Sequence, residues 1–130
     1  MSVGILLVTH PGIAPALVSA ARKIVGNFPL KVETFEMPFE SSVEEALPSA
    51  SATLRKVESE DGVLILVDLY GSSPSNIAAQ LARLGTPARR VAGLNLSMLL
   101  RVMNYPENKL DAMQSVASLG GRNGVILDEI

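Results

Sequence analysis

The sequence predicts an α/β fold, a mainly parallel open sheet with helices on both faces, and three observations carry that reading. Two short runs, V-G-I-L-L-V at 3–8 and G-V-L-I-L-V at 62–67, are aliphatic almost throughout, as strands buried on both faces are. Segments with helical apolar spacing separate these and the weaker strands, which gives a β-α-β-α order. The 130 residues are 48% hydrophobic and 18% charged, enough apolar surface for one core in a single domain, 1–130.

Each element has its own signal. The first strand stops at Thr9-His10-Pro11-Gly12, and Pro15 suits the first turn of a helix carrying Leu17, Ala20, Ala21 and Ile24. Gly26-Asn27 ends that helix. Residues 30–35 alternate apolar and polar, as a strand near a sheet edge does. Ser42 and Glu45 have capping-box spacing, and Pro48 one turn on predicts a kink or a delayed helix start. After the second buried strand, Asp68 opens a loop that closes on Ser73 as N-cap and Pro74 as first helical residue. Ile77, Leu81 and Leu84 are that helix's apolar stripe. A short strand at 91–94, helices at 97–103 and 110–119, a Gly120-Gly121 stop and a last strand at 125–127 complete the chain.

Composition narrows the function. A net charge of −2 lacks the basic footprint of a nucleic-acid binder. The absence of cysteine removes disulfides, thiolate metal sites and a thiol nucleophile, and is compatible with the cytoplasm. The apolar run at 2–8 is too short for a membrane span and has no basic region before it. One histidine with scattered carboxylates makes no metal-ligand set, and no P-loop or G-x-G-x-x-G is present. Neither a cofactor nor a metal is expected.

The chemistry gathers where the two apolar strands end. In open α/β sheets ligands sit beyond the carboxyl ends of the strands. His10 and Asp68 end the two runs, and meet at that edge if the strands are neighbours. A carboxylate on one ring nitrogen fixes the tautomer and leaves the other nitrogen free as a nucleophile. Helix N-termini nearby suit an anion such as phosphate, and Thr9, Ser72 and Ser73 add hydroxyls. A surface histidine beside an Asx-turn and a helix cap is the plainer alternative. Glutamates 33, 36, 40, 44 and 45 suit either a basic partner or a solvated face.

Four blocks resemble one family. G-I-L-L-V-T-H-P-G-I-A (4–14), L-V-D-L-Y-G-S-S-P-S-N-I-A (66–78), V-A-G-L-N-L-S-M-L-L (91–100) and G-R-N-G-V-I (121–126) are similar, in order and spacing, to the enzyme IIA component of the mannose-type sugar phosphotransferase system. The resemblance implies that His10 accepts phosphate from the histidine-containing phosphocarrier protein and passes it to a IIB component for sugar uptake. It implies Nε2 as the phosphorylated atom, Asp68 on Nδ1, and Ser73 beside the phosphate. It also implies a cytoplasmic homodimer in which the C-terminal strand, around 124–128, pairs with the partner's sheet. Pro11 and Ser72 depart from it, since glycine is common at both places. Three rival readings are a lone regulatory IIA protein, a dihydroxyacetone-kinase phosphotransfer subunit and a catalytically silent ligand module.

Overall fold

The computed structural model describes residues 2–129, so the two ends of the expected 1–130 domain, Met1 and Ile130, lie outside it. Four parallel strands form one sheet: β1 (Gly4–Thr9), β2 (Val32–Glu36), β3 (Val63–Val67) and β4 (Ala88–Ala92), in the order β2-β1-β3-β4. The two aliphatic runs are its centre, paired from Gly4↔Val63 to Val8↔Val67. Side chains alternate across a strand, and each central strand therefore feeds two cores. Ile5, Leu7, Leu64 and Leu66 pack on α1 (Ile13–Val25), α4 (Leu96–Asn104) and α5 (Leu110–Asn123). Leu6, Val8, Val63, Ile65 and Val67 face α2 (Val43–Arg55) and α3 (Ser73–Leu81). The expected parallel sheet with helices on both faces is thus present, each large buried aliphatic contributing about 1.5–3 kcal/mol.

β2 and β4 are the edges. β4 lies three residues earlier than its apolar run suggests, because Ala88 to Ala92 are the residues that register with Val63 to Val67. The capping box is formed: the Glu45 amide donates to Ser42 Oγ, and the Ser42 amide donates to Glu45 Oε1. The Ser42 backbone bond, then its side chain, holds the Glu45 carboxyl below its ordinary value. With this cap in place, α2 begins at Val43 with no delay. Pro48 is exposed within the helix, so the Glu44 carbonyl it deprives of a donor can turn to water.

Three expectations change at the ends of elements. Leu84 lies beyond α3 and is 55% exposed, so Ile77 and Leu81, with Ala78 between them, carry the buried stripe. Gly120-Gly121 does not stop α5, which runs on to Asn123. The two glycines are instead buried against α4. A Cβ at Gly120 would stand 2.5 Å from Arg101 Cβ, and one at Gly121 would stand 2.9 Å from Met98 Cε. Close helix approach, rather than helix termination, explains them. The strand expected at 125–127 is not formed within the chain: residues 125–129 join none of the four strands. Val125 and Ile126 are more than two-thirds exposed and Leu127 almost fully so.

Candidate functional site

The chain leaves β1 in one direction to build β2 and in the other to build β3 and β4. The carboxyl ends of β1 and β3 therefore flank a topological switch point, the usual place for a site in an open α/β sheet. His10 follows the last residue of β1, and Asp68 the last of β3.

Asp68 is the organising group. Its Oδ2 accepts from the His10 backbone amide at 2.9 Å and lies 2.7 Å from His10 Nδ1. Its Oδ1 accepts from the Leu69 amide at 2.9 Å. An ionised carboxylate only accepts, so in the neutral imidazole Nδ1 carries the ring proton and Nε2, on the opposite edge, carries the lone pair. No hydrogen bond among the described residues uses Nε2. The His10 side chain is 27% exposed and that of Asp68 10%, so the imidazole is partly open to solvent while its support is screened.

The turn after His10 is built by Pro11 and Gly12. The Ile13 amide reaches the His10 carbonyl at 3.4 Å, and Gly12 has φ 89° and ψ −21°. Proline at the second place and a left-handed glycine at the third are the signature of a type II turn. Pro11, the departure from the family pattern, is accommodated in this way. Thr9 takes a different part from the phosphate contact expected of it. It is fully buried, its hydroxyl donating to the His10 carbonyl at 2.8 Å and accepting from the Ala14 amide at 3.1 Å. It ties the strand to α1 from below.

On the other side the N-cap of α3 is Ser72, one residue before the expected Ser73, with Ser73 and Pro74 as the first helical residues. The Ser72 hydroxyl does not cap. It donates to the Leu69 carbonyl at 2.6 Å and closes the loop. Ser73 is exposed, and neither its hydroxyl nor its amide is used in a hydrogen bond among the described residues. An unpartnered amide at a helix N-terminus is an anion donor.

The sequence reading missed three contributors. Glu36, grouped with an acidic face, is exposed at the end of β2 and accepts from the Gly12 amide at 2.5 Å. Phe39 places its ring 5.7 Å from that of His10, with 34° between the planes. Arg90 on β4 donates to the Ser75 carbonyl at 2.9 Å and lies over the Tyr70 ring, tying the loop and the start of α3 to the sheet. Only β2 ending at the same edge as β1 could have hinted at Glu36 and Phe39. Among the described residues, no three metal-ligating side chains converge and no helix is long and apolar enough to cross a membrane.

The comparisons with known proteins give the family and the fold. The family model described as the PTS system fructose IIA component, EIIA-man, matches residues 4–119. The chain belongs to this family. It is 28% identical, over 96% of its length, to the PTS system mannose-specific EIIAB component of Escherichia coli K12, and it spans 39% of that protein. The fold superposes on the mannose/sorbose-specific IIA subunit from Enterococcus faecalis with a TM-score of 0.88. That match has 24% identity and covers 100% of this chain and 97% of that one. An EIIA component from Streptococcus agalactiae gives 0.80 at 22% identity, with 95% of each chain covered. The resemblance read from the four sequence blocks thus stands, and the family is one of phosphotransfer components of the sugar phosphotransferase system.

Proposed function

We propose that this chain carries a phosphoryl group on His10 Nε2, accepting it from the histidine-containing phosphocarrier protein and passing it to a IIB component in the cytoplasm. The observation that carries this reading is the Asp68 carboxylate on Nδ1 at 2.7 Å, which leaves Nε2 unprotonated and open. In the first transfer Nε2 donates its pair to phosphorus as the bond to the donor's histidine breaks; in the second the IIB acceptor attacks phosphorus as the Nε2–P bond breaks and its pair returns to Nε2. Asp68 balances the charge that appears on the ring. The free Ser73 amide and hydroxyl can meet the equatorial oxygens, while Ser72 shapes the loop and Thr9 the turn beneath it. Such transfer needs in-line placement and donors, and no metal enters it.

The direct experiment combines the protein with phosphoenolpyruvate, enzyme I and the phosphocarrier protein and measures intact mass. One phosphoryl adduct is expected, lost in acid and retained in base, as a phosphoramidate is. An acid-stable adduct would place the phosphate on a serine, and no adduct would end the carrier reading.

The homodimer is part of the proposal. Val125, Ile126 and Leu127 leave their apolar side chains in water in the single chain. The tail starts from α5, which packs beside the β4 edge. Unpaired strand edges and exposed apolar tails favour association, and exchange of a terminal segment gives a symmetric dimer at little cost. Removing residues 124–130 is expected to yield monomer or aggregate by light scattering. A truncated protein that stays dimeric at micromolar concentration would remove the tail from the interface.

A further inference from the structure

Phe39 is 75% exposed and belongs to neither core, yet its position is tightly determined. Before it, the Met37 amide donates to the Thr9 carbonyl at 2.8 Å, the Met37 side chain is 2% exposed in the core, and Glu36 holds Gly12. After it, the Ser41 amide returns to the Pro38 carbonyl at 3.4 Å, and Ser42 is locked into the α2 cap. The segment between these anchors brings the ring of Phe39 beside that of His10.

We propose that Phe39 is a positioning residue for phosphoryl transfer at His10, an inference that rests on the carrier reading. The Asp68 bond fixes one edge of the imidazole but permits the ring plane to rock about the Nδ1···Oδ2 line. A second ring beside it, with its centroid 5.7 Å away and its plane tilted by 34°, restricts that freedom. The Nε2 lone pair is then held in the direction from which phosphorus must arrive in line. Orientation of this kind contributes to rate without forming any bond, and small misalignments are costly.

The test compares Phe39→Ala, Phe39→Leu and Phe39→Tyr with the parent. Three readouts are used: single-turnover transfer at saturating phosphocarrier protein, phosphorylation by phosphoramidate, and 13C relaxation at His10 Cε1. Phosphoramidate is a small donor that needs no docking surface. The single histidine makes the relaxation signal unambiguous. Phe39→Ala is expected to slow both transfers by about three- to thirtyfold and to add fast motion to the ring. Phe39→Tyr should restore both, and Phe39→Leu only part.

Three results would overturn the assignment. A change confined to the dependence on phosphocarrier concentration would make Phe39 a docking contact. Unaltered rates would remove its role, and slower transfer without added ring motion would break the link through His10. If the parent protein takes up no phosphoryl group, the carrier reading fails, and ring relaxation alone decides whether Phe39 orients the imidazole.

Discussion

His10→Ala is expected to take up no phosphoryl group, while folding as the parent does. Nε2 is the only imidazole nucleophile available, because the chain has one histidine. Its removal leaves a site in which no nitrogen can form the bond. The fold does not depend on it. The strand that delivers it is held by Ile5, Leu6, Leu7 and Val8, all fully buried. Alanine retains the backbone amide that donates to Asp68 Oδ2, and Oδ1 keeps the Leu69 amide, so the carboxylate stays partnered. Loss of the Nδ1 bond and of the Phe39 contact should cost about 1 kcal/mol, a shift of a few degrees in Tm for a domain of this size. Intact mass after incubation with phosphoenolpyruvate, enzyme I and the phosphocarrier protein reads the first expectation, and thermal unfolding the second. A normal yield of adduct on the variant would move the nucleophile elsewhere.

What was legible in the sequence follows from the range of the forces involved. β1 and β3 announce themselves because a strand covered on both faces has to be apolar at every position, and their ends place His10 and Asp68 together once the strands are neighbours. The capping box at Ser42 is a contact over three residues and could be read directly. Gly120-Gly121 could not, because the same residue type serves a helix stop and a close helix crossing. Only the presence of Arg101 and Met98 opposite decides between them. Thr9 and Ser72 illustrate a related limit. Their hydroxyls are in the right neighbourhood for phosphate, yet each satisfies a nearby backbone group instead. Glu36 and Phe39 reach the site across the β1–β2 pairing, twenty-four and twenty-nine residues from Gly12 and His10. No local pattern marks such a contact. The tail is a different matter: residues 125–127 have the composition of a strand, but a strand needs a partner edge, and in the single chain they pair with none of the four strands although β2 and β4 are edges.

Asp68→Asn is expected to slow transfer by about 10- to 1,000-fold, and the hydrogen-bond inventory of the site says why. Asp68 accepts three bonds, from the His10 amide, the His10 ring and the Leu69 amide. An asparagine has one accepting oxygen and one donating NH2, and its two orientations fail differently. With its oxygen toward His10, the NH2 group faces the Leu69 N–H, donor against donor, and the loop that leads to Ser73 is disturbed. With its oxygen toward Leu69, the NH2 group faces both the His10 N–H and Nδ1. The ring then answers by carrying its proton on Nε2, where it blocks attack on phosphorus. Neither orientation supplies the negative charge that balances a phosphorylated ring. The loss of stability should stay near 1 kcal/mol, since Leu69 is exposed and its amide can turn to water. Single-turnover transfer from the phosphorylated carrier protein measures the rate, and 15N shifts of the one histidine report the tautomer. A variant with parental kinetics and the proton still on Nδ1 would reduce Asp68 to a loop cap.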